Sequence, residues 1–364
     1  MTNHQQPATN DTPRLIAEWE PQDAVMLTWP HDRTDWVGLL PEVTGVYESL
    51  VQALCRYGDV VIAAREDTVP ELTRRLIRLG VEPAFMHIYP AEYNDTWTRD
   101  HGPLTIETEH GLCLLDYHFN GWGNKFDAVL DNALTGALYE QGAFPGADHR
   151  EMDFVLEGGS IESDGKGTLM TTSRCLLNPN RNPDLGRGGI EKQLREDMGI
   201  SRFHWLEHGY LEGDDTDGHI DTLARLCPGD VIVYQSCDDT GDAHFNEFTA
   251  LESELQSLTR GDGKPYTLVP LPWPAPRFEG NGGRLPLSYA NFLIFNGGVF
   301  IPLYEDDRDA EALEQVAQAF PGYTVEGVNC LPLITQHGSL HCITMQLPRG
   351  VVNPILHEYA GNEG

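Results

Sequence analysis

Apolar and polar positions follow two alternating patterns along the chain. Short runs rich in β-branched and aromatic residues, each beside turn residues, are typical of buried or half-buried strands. Such runs occupy residues 58–64, 111–118, 167–173, 229–235, 291–304 and 341–347. Helical spacing of apolar residues fills residues 42–57, 70–79, 189–198, 245–258 and 307–319. The repeated order of strand, helix and strand predicts a mixed α/β architecture.

Turn residues add detail to this pattern but mark no domain boundary. The polar start of the chain predicts a loose tail over residues 1–12, and we expect residues 13–364 to form a single domain. Asp164-Gly165, between two strand-like runs, predicts a β-hairpin within residues 158–173. The Pro- and Gly-rich segment 259–286 predicts a long ordered loop over a site.

Charge narrows the classes of partner. The net charge is −32, from 24 basic and 56 acidic residues, and such a surface repels nucleic acid and anionic membranes. It would attract a cationic ligand, although an acidic, lysine-poor surface also serves solubility. No run approaches the ~18 apolar residues of a membrane span. The sequence therefore predicts neither a nucleic-acid partner nor a membrane partner.

The cysteines indicate the redox environment. Seven cysteines are scattered along the chain without a CxxC pair, which disfavours a zinc ribbon and a complete disulfide framework. The polar start lacks the pattern of a secretory signal. We therefore expect a cytoplasmic protein.

Four glycine-containing polar clusters interrupt the strand and helix pattern. They are DTWTRDHGP (95–103), LEGGS (156–160), GDDTDGHID (213–221) and HGSLHCIT (337–344). Glycine lets the backbone turn sharply, so short side chains from several clusters can converge on one point. We expect these clusters to build the functional site.

The third cluster resembles a calcium loop only superficially. The first and twelfth positions of such a loop would be Gly213 and Ala224, which offer no side-chain oxygen. His219 and Asp221, spaced two apart, would share one face of a strand. That pair suits metal binding, proton transfer beside a carboxylate, or a satisfied polar contact in the core.

The last cluster contains the candidate nucleophile. Cys342 lies within an apolar strand pattern, which is typical of a core cysteine. Gly338-Ser339 and His341, however, would give it a polar mouth, and a reactive thiol needs such surroundings. Nearby carboxylates would oppose thiolate formation unless the substrate is itself a cation.

A guanidinium substrate reconciles the thiol with the acids. Carboxylates bind its planar fork through short charge-assisted bonds, and its charge lowers the pKa of a neighbouring thiol. Candidate carboxylates are Asp100, Glu157 and Asp221, with a histidine as acid and afterwards as base. Thiolate attack on the central carbon would then expel ammonia.

These motifs resemble those of agmatine deiminases, members of the guanidine-modifying superfamily. The likeness covers nearly the whole chain, from AEWEPQDAVMLTWP (17–30) and FNGWGNKFD (119–127) to the four clusters above. It implies a five-bladed α/β propeller of ββαβ units around a pseudo-fivefold axis, in a single catalytic domain. It also implies hydrolysis of agmatine to N-carbamoylputrescine and ammonia through a Cys-thiouronium intermediate, with no metal or organic cofactor.

The resemblance assigns roles residue by residue. Cys342 matches the nucleophile, His219 the general acid and base, and Glu157 the carboxylate that hydrogen-bonds this histidine. Asp100 and Asp221 match the carboxylates that bind the guanidinium. For the amine end of the substrate, the candidates are Trp97, Trp122, Asp214 and Asp215.

Other interpretations stay open at this point. Gln336-His337-Gly338-Ser339 stands where many agmatine deiminases carry Gly-Gly-Gly-Asn, and peptidylarginine deiminases share the general pattern. A metal hydrolase would use His219 and Asp221 with His204 and His208, and a polyamine- or guanidine-binding protein would need no catalysis. The oligomeric state is not fixed by the sequence, which is compatible with a homo-oligomer.

Overall fold

The computed structural model describes residues 12–353, so the predicted tail over residues 1–12 lies outside the described part except for Thr12. Its strands are β1 Arg14–Leu15, β2 Gln22–Thr28, β3 Asp59–Ala64, β4 Met86–Pro90, β5 Leu104–Thr108, β6 Gly111–His118, β7 Ala147–Val155, β8 Ile161–Ser163, β9 Thr168–Thr172, β10 Arg202–Leu206, β11 Ala224–Cys227, β12 Val231–Gln235, β13 Thr267–Leu271, β14 Leu293–Phe295, β15 Gly298–Leu303, β16 Thr324–Asn329 and β17 Thr344–Pro348.

The helices alternate with these strands. They are α1 Leu40–Leu54, α2 Val69–Arg78, α3 Thr98–His101, α4 Gly121–Asn124, α5 Val129–Asn132, α6 Leu134–Glu140, α7 Ser173–Leu176, α8 Arg187–Met198, α9 Phe245–Ser257, α10 Asp309–Ala319 and α11 Leu331–Ile334. Short 3-10 turns occupy Asp35–Gly38, Pro83–Phe85, Gly158–Ser160 and Ile220–Thr222. The predicted mixed α/β architecture is confirmed.

The described strands form five sheets with one recurring connection. Their strand orders are β1-β5-β6-β7, β10-β9-β8, β11-β12-β13, β14-β15-β16 and β17-β2-β3-β4. Each contains an antiparallel pair followed by a parallel strand, as in β8, β9 and β10. A helix lies between the parallel neighbours because a parallel crossover needs a long connection.

Helix α1 illustrates how the apolar pattern builds the core. Its buried face carries the apolar residues that the helical spacing predicts: Val43, Val46, Tyr47, Leu50, Val51 and Leu54. They pack with strands β2 and β3 in the largest of four buried apolar clusters. Full burial of such a side chain stabilises the fold by roughly 1.5–3 kcal/mol. No helix between residues 12 and 353 is long and apolar enough to cross a membrane.

The hairpin prediction is confirmed, and two strand predictions need correction. Strands β8 and β9 pair antiparallel across Asp164-Gly165. Residues 291–304 are two strands, β14 and β15, because Asn296 and Gly297 turn the chain with φ of 47° and 86°. Strand β17 begins at Thr344, so Cys342 lies in the turn before the strand and not within it.

Candidate functional site

One cavity of ≈ 360 Å³ collects side chains from three of the four polar clusters, the exception being LEGGS. Its lining includes the candidates Trp97, Asp100, Trp122, Asp214, Asp215, His219, Asp221 and Cys342. Asp35, Asp95, Phe126 and His337 also line it, and no lysine or arginine of the described chain does. The lining is therefore strongly acidic, with aromatic walls.

The cavity has a buried floor and a wetter mouth. We define the floor as Asp100, His219, Asp221 and Cys342, whose exposed fractions are 4%, 1%, 0% and 8%. The mouth consists of Asp35, Asp215 and His337. The side chains of Asp215 and His337 are 50% and 25% exposed, and Asp35 is exposed.

The carboxylate of Asp100 is held by groups from two other chain segments. Asp100 lies in the four-residue helix α3. Trp122 Nε1 donates to its Oδ2 at 2.9 Å, and the Gly159 backbone N–H donates to its Oδ1 at 3.0 Å. A Cβ at Gly159 would lie 2.8 Å from that oxygen and 2.7 Å from His219 Nδ1, so the LEGGS motif requires glycine there.

The orientation of Trp122 depends on an unusual backbone. Gly121, Trp122, Gly123 and Asn124 have φ of 66°, 56°, 85° and 64°, four successive residues with positive φ. Glycine adopts this conformation without penalty, whereas tryptophan rarely does. The NGWGN motif thus directs an indole N–H at a catalytic candidate.

His219 and Asp221 share the cavity, but not as neighbours on a strand. The chain turns at Gly218, with φ of 90°, into the 3-10 turn Ile220–Thr222. The prediction of a strand is wrong here because Asp214 Oδ2 accepts the Gly218 N–H at 2.6 Å and Thr216 Oγ1 accepts the His219 N–H at 3.0 Å. These bonds hold a compact loop instead of an extended strand.

The charge around His219 favours its imidazolium. Burial lowers the pKa of His219, but the negative charge of Asp100, whose Oδ1 lies 3.6 Å from Nδ1, helps to raise that pKa to about 10. Burial raises the pKa of Asp100 to about 6, against the opposing effect of His219. His219 Nε2 has no hydrogen-bond partner among the described residues.

Cys342 is positioned by contacts distant in sequence. Its backbone N–H and its Sγ each lie 3.4 Å from Asn291 Oδ1, and its carbonyl accepts the Arg99 backbone N–H at 3.0 Å. Burial, and then the charges of Asp221 and Asp100, raise the pKa of Cys342 well above its ordinary value. The resting residue is therefore a thiol at neutral pH.

Two expectations for neighbouring groups are not met. His341 is fully buried and bonds Asp221 Oδ2 through Nδ1 at 2.8 Å, so it does not form a polar mouth for Cys342. Glu157 is also fully buried, but both of its oxygens accept Arg181 Nε, at 2.8 and 3.0 Å. It lies near His219, with which it shares no direct hydrogen bond.

The candidates for the amine end differ in availability. Both carboxylate oxygens of Asp214 accept backbone N–H groups of its own loop, those of Thr216 and Gly218. Asp215 keeps a half-exposed carboxylate at the mouth. Trp97 packs against Trp36 with ring centroids 5.6 Å apart, and it also walls the cavity beside Gly338.

The metal-hydrolase arrangement is not assembled. His204 lies in β10, 3.3 Å from Tyr266 Oη, and His208 lies 3.6 Å from Glu247, both outside the cavity lining. Glu157, Cys175 and His219 place ligand atoms within 4.8 Å of one another. The Arg181 guanidinium already occupies both oxygens of Glu157, so this trio does not fit a cation.

Three residues in or beside the cavity were not among the predicted site residues. Asp95 stands two positions before Trp97 in a motif already noted, and its Oδ2 accepts the Trp97 indole N–H at 3.1 Å. His337 falls in the segment that departs from the family pattern. Asn291 carries no local signal, because its importance arises only from contact with Cys342, 51 residues away.

Comparison with known proteins defines the relatives of this fold and site. The profile of the family described as Porphyromonas-type peptidyl-arginine deiminase matches residues 14–348. The agmatine deiminase of Pseudomonas putida is 33% identical over 373 residues, covering 94% of this chain and 98% of the relative.

Solved structures agree with this match. The agmatine deiminase of C. jejuni, in a cysteine-to-serine variant with substrate bound, has a TM-score of 0.87 and 33% identity, covering 96% of this chain and 100% of the other. A Porphyromonas gingivalis protein named provisionally as an arginine deiminase has a TM-score of 0.86 and 44% identity, covering 93% of this chain and 99% of the other. The chain belongs to the Porphyromonas-type peptidyl-arginine deiminase family of guanidine-modifying enzymes.

Proposed function

We propose that this protein is an agmatine deiminase, which hydrolyses agmatine to N-carbamoylputrescine and ammonia, a step toward putrescine. The proposal rests on the cavity floor, where a buried thiol, an imidazole and two carboxylates line one space. Relatives at 33% identity that carry this activity in their names support it.

Asp100 and Asp221 bind the guanidinium in this proposal. Asp221 Oδ1 is buried without a hydrogen-bond partner among the described residues, so it is free to accept a substrate N–H. A planar guanidinium presents donors in a fixed fork that matches carboxylates. Its positive charge offsets the carboxylates that raise the pKa of Cys342, and the thiol proton leaves to solvent as the substrate docks.

The chemistry then proceeds in two halves. The Cys342 thiolate bonds to the guanidinium carbon, the imidazolium of His219 donates a proton to one substrate nitrogen, and ammonia leaves. The C–S bond remains as an S-alkylthiouronium. Neutral His219 next takes one proton from water as the water oxygen bonds to the same carbon. The C–S bond then breaks, the remaining hydroxyl proton passes to solvent, and N-carbamoylputrescine and the Cys342 thiolate are released.

The mouth favours agmatine over free arginine. Arginine carries a carboxylate that a basic side chain would have to bind, and no lysine or arginine lines the described cavity. Agmatine ends in an ammonium, which suits Asp215 and the aromatic faces of Trp97 and Trp122. Asp214 supports this end by shaping the loop that carries Asp215.

Peptidylarginine deimination is the second candidate. It is favoured by the family description and by the 44% identity to the Porphyromonas gingivalis structure. A peptidyl substrate also lacks a free carboxylate next to the guanidinium chain, so the lining chemistry alone does not reject it.

The similarity to agmatine deiminases also supports proposals about the fold, the cellular location and the partner. We place the five similarly connected sheets around a pseudo-fivefold axis, as blades of an α/β propeller formed by one domain. Of the range 13–364 predicted for that domain, residues 354–364 lie outside the described part of the chain. Seven unpaired cysteines support a reducing, cytoplasmic location. The partner is a small cationic guanidine, with neither nucleic acid nor membrane involved, and a homo-oligomer is compatible with the fold.

A quenched-flow experiment tests both substrate and nucleophile. Protein mixed with agmatine and quenched rapidly should show, by mass spectrometry, an adduct on the peptide containing Cys342, and Cys342→Ser should show none. Cys237→Ala, a buried cysteine outside the cavity, is the matched control and should still form the adduct. Ammonia release from peptidylarginine without release from agmatine would overturn the assignment in favour of the second candidate.

A further inference from the structure

His341 forms a bridge behind the cavity floor. Its side chain is fully buried, with Nδ1 2.8 Å from Asp221 Oδ2 and Nε2 2.8 Å from Glu18 Oε1. Arg225 Nη2 lies 3.0 Å from the same Nε2. The bridge joins residues 323 positions apart, so it links the first sequence motif to the last.

The hydrogen-bond partners determine how this imidazole is protonated. Asp221 can only accept, so Nδ1 carries the hydrogen in that bond. Burial, followed by the positive charges of Arg225 and Arg99, lowers the pKa of His341. Nε2 lies between Glu18 Oε1 and the N–H of Arg225, and the Nδ1–H bond to Asp221 is the same whichever of these two groups Nε2 bonds.

Because of this contact, the two carboxylate oxygens of Asp221 have different surroundings. Its Oδ2 is bonded to His341, whereas its Oδ1 is buried without a partner among the described residues. Burial raises the pKa of Asp221, but the hydrogen bond from His341 and the positive charges around the carboxylate, including His219 and Arg225, outweigh it and leave the pKa below its usual value. The carboxylate of Asp221 is therefore ionised, with Oδ2 held by His341 and Oδ1 available to a ligand.

Glu18 fixes the far side of the bridge. Its Oε1 accepts Arg99 Nη1 at 3.0 Å, and its Oε2 accepts Arg225 Nη2 at 2.7 Å and Gln346 Nε2 at 3.0 Å. The surrounding arginines are themselves fully or almost fully buried. The hydrogen bonds of Glu18 to Arg99, Arg225 and Gln346 restrict where its carboxylate can lie against His341.

We propose that His341 is a positioning residue for guanidinium binding: its Nδ1–H holds Asp221 Oδ2 so that Oδ1 faces the substrate, and Glu18 with Arg225 fixes the ring. This inference rests on the proposed deiminase function. It gives a role to Glu18, which stands in the opening AEWEPQ motif and does not line the substrate cavity.

Conservative substitutions separate positioning from packing. The side-chain amide of asparagine reaches the position of an imidazole Nδ1, whereas that of glutamine reaches Nε2. His341→Asn should therefore keep the bond to Asp221, and His341→Gln should lose it. A role in packing alone would make the two variants similar, or would favour the larger glutamine.

Steady-state kinetics on agmatine is the main test. We expect KM for His341→Gln to rise at least about tenfold with a smaller change in kcat, and His341→Asn to stay within about threefold of the wild type. His204→Asn, another buried histidine outside the cavity, is the matched control and should leave KM unchanged. Equal KM values for His341→Asn and His341→Gln would overturn the proposal.

Thermodynamic coupling provides a second test that does not need turnover. In a Cys342→Ser background, agmatine binding by calorimetry should weaken with Asp221→Asn, and adding His341→Gln should weaken it little further, since both act through one carboxylate. Additive losses would contradict positioning through Asp221.

A spectroscopic test separates failure of this proposal from failure of the function. If the wild type neither binds nor turns over agmatine, the proposed function falls. Nitrogen NMR of His341 should still show an Nδ1–H form that Asp221→Asn alters. A ring without hydrogen on Nδ1, or no response to that substitution, would sink the inference by itself.

Discussion

The floor and the mouth of the cavity are built in different ways. Each carboxylate of the floor is held from behind, Asp100 by Trp122 and Gly159 and Asp221 by His341. At the mouth, by contrast, Asp215 is half exposed and its carboxylate makes no short contact among the described residues, the nearest being His337 at 3.9 Å. In the proposed reaction, the reacting group would therefore meet a prearranged site, whereas the tail would be recognised mainly by charge.

The largest effect should come from the floor. Asp100→Asn removes a guanidinium partner, so we expect kcat/KM to fall at least about 100-fold. Burial is the main cause of the raised pKa of Cys342, and the charges of Asp221 and Asp100 add to it. The same substitution should therefore lower that pKa and speed alkylation of Cys342 by iodoacetamide at fixed pH.

This prediction is specific because turnover should fall while alkylation of Cys342 becomes faster. Turnover is measured by ammonia release and alkylation by mass spectrometry of the peptide containing Cys342. Asp116→Asn, a buried aspartate bonded to His149 outside the cavity, is the matched control and should change neither rate. Slower alkylation in Asp100→Asn would contradict the electrostatic account.

A second, smaller effect should be the pH dependence of activity, which arises from the titration of Asp100 and His219 in the floor. The carboxyl of Asp100, whose pKa burial raises to about 6, must be ionised to bind the substrate. His219, whose pKa is raised to about 10 despite burial because of Asp100 and its other anionic neighbours, must be protonated to release ammonia. Activity should thus rise through pH 6 and fall above pH 10.

The profile is measured as kcat/KM for agmatine between about pH 5 and pH 10.5, with circular dichroism to confirm folding at each point. Below pH 6 the value should fall about tenfold per pH unit. Undiminished activity at pH 5 would show that Asp100 is not the group that must ionise.

The smallest effect should come from the mouth. Asp215→Asn removes a half-exposed charge, whose contribution solvent screens, so KM should rise about two- to fivefold with kcat unchanged. Wild-type KM should also rise with salt, because exposed carboxylates are screened at high ionic strength. Asp262→Asn, at an exposed site away from the cavity, is the control for net charge. A tenfold loss of kcat in Asp215→Asn would erase the distinction between mouth and floor.

Local patterns predict the scaffold because its causes are local. The buried face of α1 follows from apolar spacing, and the β8–β9 turn from Asp164-Gly165. The turn at Asn296-Gly297 is an equally good hairpin signal, but the apolar run around it makes two strands resemble one. These features depend on residues within a few positions of each other.

The site itself depends on contacts that no local pattern contains. The four clusters can be found from sequence because glycines and polar residues are conspicuous among apolar runs. Their geometry cannot, since Asn291 and Arg99 hold Cys342 outside the strand that its neighbours suggest. The family resemblance supplies the candidate roles, whereas the bond between His341 and Asp221 emerges only from the three-dimensional arrangement.

The pairing of β17 with β2 has a consequence for protein synthesis. The last strand completes a sheet begun by the second, and Cys342 stands two residues before it. Every residue up to Cys342 must therefore be synthesised before the thiol can reach its place beside Asn291. Fragments that end before Cys342 would carry the proposed guanidinium-binding acids without the proposed nucleophile, so we expect them to be inactive as deiminases.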